Sequence, residues 1–187
     1  MKQVYLIRHG LPKFPDGQRR CIGSTDLPLS PEGAAQAAEM ARSLPSVTAV
    51  FSSPLTRAMQ TAQAITPDFT IVENLREQDY GQWEGLTFPE IKQRFPALYA
   101  ARAKDLSLLP PGAENSQSAL ARFSAAVEQA ARKSPGDLAV VAHGGVIALF
   151  LESLTGRRYK PNYCEIVTLH WDEHGFFHQE ESSCGKC

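Results

Sequence analysis

The sequence predicts an α/β fold, a three-layer α/β/α sandwich whose mostly parallel sheet carries helices on both faces. Three observations carry that expectation. Short β-branched or aromatic runs alternate with longer amphipathic segments along the 187 residues. One run, "DLAVVA" (137–142), is apolar enough for a strand buried on both faces, as parallel strands are. No internal repeat, linker or low-complexity tract divides the chain, so one domain over 1–187 is expected, with a flexible tail from about 180 to 187.

The elements follow in order. "QVYLI" (3–7) is the first strand. "LSPEGAAQAAEMARSL" (29–44) opens a helix, with Ser30 as N-cap, Pro31 at the first helical position and Glu32 in the first turn. "VTAVF" (47–51) is a second strand, and "SPLTRAMQTAQAI" (53–65) repeats the Ser-Pro helix start with Leu55, Met59, Ala62 and Ile65 on one face. "TIVENL" (70–75) reads as a third strand. "TFPEIKQRF" (87–95) carries a capping box, Thr87 with Glu90, and Pro96 interrupts that helix. "PPGAEN" (110–115) is a loop, and residues 116–133 form a helix with Leu120, Phe123, Val127 and Ala130 in register. After the 137–142 strand, "GVIALFLESLTG" (145–156) is a largely buried helix closed by Gly156. "CEIVTLHW" (164–171) and "GFFHQ" (175–179) make a final hairpin.

Composition narrows the classes. Hydrophobic residues make up 43% and charged residues 21%, ordinary for a soluble globular protein. A formal net charge of −1 gives no reason to expect nucleic acid or a membrane surface as partner. No apolar run approaches the length of a membrane span. "MKQVYLIRHG" turns polar too soon for a signal peptide, so Cys21, Cys164, Cys184 and Cys187 read as cytosolic thiols and the protein as cytoplasmic.

Chemistry gathers where parallel strands end. Arg8-His9-Gly10 follows the first strand, Ser52-Ser53 and the helix bearing Arg57 follow the second, and His143-Gly144-Gly145 follows "LAVVA". Two histidines and two arginines face one crevice if those strands are neighbours. That set suits a phosphoryl dianion: guanidinium forks bind its oxygens, helix N-termini add N–H donors, and a neutral imidazole can attack phosphorus. Arg57 lies two residues past Leu55, roughly 200° around a helix, which puts it off the apolar stripe and free to point into the crevice. A leaving alcohol needs a proton, and "NLREQDYGQWEGLT" (74–87) offers Glu77, Asp79 and Glu84. Spacing alone does not choose between Glu77 and Glu84.

"LIRHG", "TDLPLSPEG", "SSPLTRAMQTA", "LREQDYGQWEGLT", "PPGAEN" and "VVAHGGVI", in this order and over roughly residues 3 to 156, resemble the histidine phosphatase superfamily, branch 1. This is the phosphoglycerate mutase-like family, and the nearest flavour is that of small bacterial phosphatases such as α-ribazole phosphatase. The resemblance implies His9 as nucleophile and phospho-carrier, Arg8 and Arg57 as phosphoryl clamps, and His143 as a second phosphate-pocket histidine. It implies Glu77 as general acid and then base, Gly10 as the residue whose backbone orients His9, and the Gly144 backbone beside the phosphate. No metal or nucleotide cofactor is implied. The expected partner is a small-molecule phosphate ester, and a homodimer remains compatible with the sequence. After the RHG motif the family usually has Glu or Gln, then Thr or Ser. Leu11-Pro12 stand here instead, with Asp16, Gln18 and Ser24 as candidates to replace the lost polar group.

Blander assignments stand beside these. Trp83 and Glu84 read as a packed turn, Asp79 as equally surface or pocket, and Arg20 as a pocket cation or half of a solvated pair with Arg19. His170, His174 and His178, with the terminal "CGKC", have a metal-site composition but fall in a hairpin, where a spacing of four makes no common face. The expected activity is hydrolysis of small phosphomonoesters. The rivals are a phosphoglycerate mutase, a non-catalytic regulatory member of the fold, and a metal-dependent hydrolase. A mutase needs extra cations and a covering segment. Between Gly85 and Pro110 few residues are available for one, and Arg102 lacks a neighbouring Arg, whereas Phe88 and Tyr99 favour a larger or less acidic alcohol.

Overall fold

A computed structural model describes residues 1–177. The expectations for His178, for the tail and for "CGKC" lie outside them. Among the described residues the sheet has six strands in the order β3-β2-β4-β1-β5-β6, where β1 is Lys2–Arg8, β2 Ala49–Ser52, β3 Thr70–Ile71, β4 Leu138–Ala142, β5 Ile166–Asp172 and β6 Gly175–Phe177. β1 to β4 run parallel, β5 pairs antiparallel with β1, and β6 completes the hairpin. No helix among the described residues is long and apolar enough to cross a membrane.

Alternation along the central strands makes the three layers. Val4, Leu6, Leu138, Val140 and Ala142 point to one face, where they meet Phe123 and Val127 of α5 (Ser116–Lys133) and Ile147, Phe150 and Leu151 of α6 (Gly144–Thr155). Tyr5, Ile7, Ala139 and Val141 point to the other and meet Met40 of α1 (Pro31–Ser43) and Ala58 and Ala62 of α2 (Thr56–Ile65). All five residues of β4 are buried, as the run "LAVVA" requires of a strand between two parallel neighbours.

Local chemistry sets the helix ends. Ser30 caps α1 by accepting from Gly33 N at 3.0 Å. Both halves of the Thr87–Glu90 capping box start α3 (Phe88–Arg94). Asn115 caps α5, and Gly156 closes α6 in the left-handed region at φ 68°.

Four details differ from the sequence-based expectation. The 70–75 strand shrinks to Thr70–Ile71, because a 3₁₀ turn over Glu73–Leu75 buries Leu75 instead. Pro96 ends α3 and at once begins another helix, α4 (Pro96–Arg102), since proline needs no N–H at a first helical turn. The helix expected from 53 begins at Thr56. Its cap comes from a distant loop: Asp26 accepts from Thr56 N at 2.8 Å and from Thr56 Oγ1 at 2.6 Å, while Ser53 is diverted to the crevice. The inward face of α2 is therefore Arg57, Ala58, Thr61 and Ala62, not the stripe through Leu55 and Met59. Arg57 lies on the buried face, not free on a polar one.

Phe123 is fully buried with its ring edge-on to Phe150, centroids 5.7 Å apart. Phe123→Ala should lower unfolding free energy by about 3–5 kcal/mol, the range for an aromatic deleted from a core. Urea titration reads this as a lower midpoint at unchanged slope, and a loss below about 1 kcal/mol would place Phe123 outside the cooperative core.

Candidate active site

Because β2, β4 and β1 are adjacent and parallel, their carboxyl ends deliver Ser53, His143 and His9 side by side. His9 N donates to Ala142 O and Ser53 N to Val141 O, each at 3.0 Å, which extends the sheet one residue past its last ladder pairs. The His9 and His143 ring centroids are 5.1 Å apart, and His143 Nε2 lies 2.7 Å from Ser53 Oγ.

His9 is held in one tautomer. Its Nδ1 is 2.7 Å from Gly10 O, a carbonyl that can only accept, so Nδ1 carries the proton and Nε2 keeps its lone pair. That carbonyl is fixed in turn by Gly10 N, which donates to Thr61 Oγ1 at 3.1 Å. Position 10 admits no side chain, since a Cβ would stand 2.5 Å from Gly33 O in the first turn of α1. Burial, reinforced by the charge of Arg57, pulls the His9 pKa well below its ordinary value. Burial and Arg57 do the same to His143. Both rings are neutral at pH 7.

Arg57 is fully buried and aimed by a relay. The Glu84 carboxylate accepts from Gly23 N at 2.9 Å, Ser24 N at 3.1 Å, Thr25 N at 3.0 Å and Tyr80 N at 2.9 Å. The loop so clamped turns Gly23 O and Thr25 O toward Arg57, which donates Nη2 to the first at 2.8 Å and Nη1 to the second at 2.7 Å. Glu84 is thus structural. Asp79 closes a turn, accepting from Gly81 N at 2.6 Å. Arg8 donates Nη1 to Pro161 O at 2.9 Å and stacks on the Tyr163 ring at 3.9 Å. The Nε atoms of Arg8 and Arg57 and Nδ1 of His143 are buried without a hydrogen-bond partner among the described residues.

Glu77 sits across the first turn of α6. Its oxygens accept from Gly145 N at 2.7 Å, Val146 N at 2.9 Å and Gln78 N at 3.0 Å. The Gly144 N–H is not among the donors it takes. Tyr80 is beside Glu77, and burial followed by that carboxylate raises its pKa, so its hydroxyl stays protonated.

These groups meet at a cavity of about 490 Å³. Arg8, His9, Glu77 and Gly144 line it, while Arg57 and His143 are fully buried and do not reach its wall. Arg19 and Arg20 both line it. Arg20 is a pocket cation anchored by Asp16 at 3.0 Å and Gly85 O at 3.0 Å, not half of a solvated pair. Asp16, Gln18 and Ser24 are not in the lining, so none replaces the polar group lost at Leu11-Pro12. That dipeptide is spent on structure: Pro12 pairs with Leu29, and Leu11 N donates to Gln36 Oε1 at 3.1 Å. The 85–110 segment contributes more wall than expected, through Phe88, Arg102 and Leu106, whereas Tyr99 packs on Trp83 with centroids 6.4 Å apart. Gln78, Tyr80, Lys160 and Tyr163 also line the cavity and escaped the sequence reading. The basic cluster "RRYK" (157–160) was the one signal for Lys160. Among the described residues no His, Cys, Asp or Glu group is arranged to hold a metal, and His174 is exposed at the hairpin turn.

The profile of the histidine phosphatase superfamily (branch 1) matches residues 4–181. The chain belongs to that superfamily. A bifunctional protein of Mycobacterium tuberculosis is 37% identical over 127 residues, which is 64% of this chain and 35% of that protein, so the chain spans about a third of that relative's length. Phosphoglycerate mutase-like protein 4 of Arabidopsis thaliana is 30% identical over 161 residues, 80% of this chain and 70% of that one. A mycobacterial glucosyl-3-phosphoglycerate phosphatase, solved as a complex with VO3, superposes with a TM-score of 0.81 at 26% identity, covering 91% of this chain and 93% of that one. An α-ribazole phosphatase from Shigella flexneri shares the fold at a TM-score of 0.79, with 22% identity and coverage of 95% and 94%.

The two neutral histidines make a stability test. Unfolding frees both rings to bind protons below their ordinary value near 6.5, while the folded protein binds none until well below it. The unfolded state then binds more protons, so stability is full above pH 6.5 and falls as pH drops, by up to about 1.4 kcal/mol per pH unit per ring. Denaturant titrations between pH 7 and 5 should show His9→Asn removing about half of the histidine share of this slope. An unchanged slope would mean that His9 is protonated in the fold.

Proposed function

We propose that the chain is a phosphatase that hydrolyses small phosphomonoesters through a phosphohistidine on His9. One observation carries this best: His9 is neutral, its proton is pinned on Nδ1 by Gly10 O so that Nε2 is left free, and the residue lines a cavity rimmed by guanidinium groups. Nε2 attacks phosphorus, and the bond from phosphorus to the alcohol oxygen breaks. Glu77 gives its proton to the departing alcohol. Water then attacks the phosphohistidine, Glu77 takes a proton from it, the N–P bond breaks, and orthophosphate leaves with His9 neutral again. Arg8 and the Gly144 N–H, which line the cavity, stabilise the charge on the non-bridging oxygens directly, and the buried Arg57 and His143 support it from behind the wall. This route takes its electrophilic help from protein groups, and chelation with EDTA should leave the rate unchanged. Rapid quench with a labelled substrate should trap acid-labile, alkali-stable phosphate that His9→Ala abolishes. Label that survives that substitution would place the nucleophile elsewhere.

Mutase activity is the second reading, favoured by the likeness to a phosphoglycerate mutase-like protein and by the arginines in the cavity wall. A mutase must keep water from the phosphohistidine, whereas this cavity is open to solvent past the exposed Phe88 and Leu106. With 3-phosphoglycerate and a catalytic amount of the bisphosphate, free phosphate should appear with little 2-phosphoglycerate. Rapid isomerisation without phosphate release would decide for the mutase.

A further inference from the structure

The segment after α6 brings to the site a cation that no motif announces. It is lashed to Arg8 at four points. Pro161 O accepts from Arg8 Nη1 at 2.9 Å, and the Tyr163 ring lies 3.9 Å from the guanidinium. Cys164 N donates to Arg8 O at 2.9 Å, and Arg8 N donates to Glu165 O at 3.3 Å. Lys160 stands just before this anchor and lines the cavity with Arg8, His9, Glu77 and Gly144. A Cβ built on Gly144 would meet Lys160 Cε at 2.9 Å and Arg8 Nε at 2.9 Å. Two cationic side chains therefore converge on the first residue of α6, at the positive end of its dipole.

The one opposing charge in the described cavity wall is Glu77, which attracts both. Arg8 Nε is buried without a partner, and Lys160 has neither a hydrogen bond nor an ion pair among the described residues. Glu77, the carboxylate of the cavity wall, already accepts three backbone N–H groups. Desolvation is the first cause that lowers the Lys160 pKa, and the attraction of Glu77 outranks the repulsion of Arg8 and of Arg19. Arg8 is half-buried and Lys160 is exposed to solvent, and two like charges that converge at the cavity wall call for an anion between them. Meanwhile the polar group expected after Gly10 is missing: Leu11-Pro12, Asp16, Gln18 and Ser24 are all outside the lining.

We propose that Lys160 takes over that contact, its ammonium touching a non-bridging oxygen of the phosphoryl group during transfer to and from His9. Lys160 is then a catalytic residue delivered from the carboxyl side of α6 rather than from the loop after β1. The assignment rests on the phosphatase reading but is tested apart from it. The full chain is compared with Lys160→Met and Lys160→Arg on p-nitrophenyl phosphate, whose alcohol part carries no charge, and in titrations of orthovanadate binding. Lys160→Met should lose about 10- to 100-fold in kcat/KM and weaken orthovanadate comparably, the range for a hydrogen bond to a charged group. Lys160→Arg should recover most of both, and thermal melting should match wild type. Orthovanadate affinity within twofold of wild type in Lys160→Met would overturn the proposal. So would a defect confined to phosphoesters with a second anionic group, which would make Lys160 a reader of the alcohol part. If the wild type binds orthovanadate but turns over no phosphoester, hydrolysis falls, while orthovanadate affinity in Lys160→Met still judges the contact.

Discussion

The hydrogen bond from His9 Nδ1 to the carbonyl of Gly10 is the contact around which the site is organised. It fixes the tautomer, the ring plane and the direction of the Nε2 lone pair at once. It also makes demands far from itself. Gly10 must lie against Gly33, which sets how closely the first turn of α1 approaches the end of β1. Gly10 N must find Thr61, which sets the rotation of α2 about its axis. That rotation brings Arg57, one turn earlier on the same face, beneath the histidines. A single imidazole orientation thus ties together one strand and two helices on the same side of the sheet.

The electrostatic design follows from that burial. Cations around a buried imidazole keep it neutral, and neutrality is what leaves a lone pair to react. The same cations would be costly inside a core. The fold meets the cost with oriented carbonyls rather than carboxylates: Gly23 O and Thr25 O for Arg57, Pro161 O for Arg8. Carbonyl dipoles satisfy N–H groups without cancelling charge, so the guanidinium groups keep their attraction for an incoming anion. The carboxylate that supports the arrangement, Glu84, stands one layer back and acts through the loop.

Much of this is legible in the sequence, and the limits have physical causes. Strand alternation, the Ser30 and Thr87 caps and the Gly156 terminus depend on near neighbours, and the layers and most helix limits follow from them. His9, Arg8, His143 and Gly144 lie together because their strands are neighbours, a condition that the sequence left open, and Glu77 joins them as the resemblance, not the spacing, implied. Periodicity misplaced Arg57, because a guanidinium counts as polar in any hydrophobic stripe although here it is wholly buried. It also placed a cap at Ser53, because the true cap, Asp26, is distant in sequence. Lys160 and Tyr163 were invisible for a related reason: their positions depend on a strap held by Arg8, and neither strand nor helix pattern records such a tie.

The Glu84 relay bears on folding as well as on geometry. Its bonds join residues about 60 positions apart, and Arg57 then depends on carbonyls more than 30 positions before it. Local helices and turns need no such closure, but the sheet does: Val4 of β1 and Ala49 of β2 both pair with Leu138 of β4. Core and pocket therefore carry the same kind of long-range entropy cost, and neither forms from local structure alone.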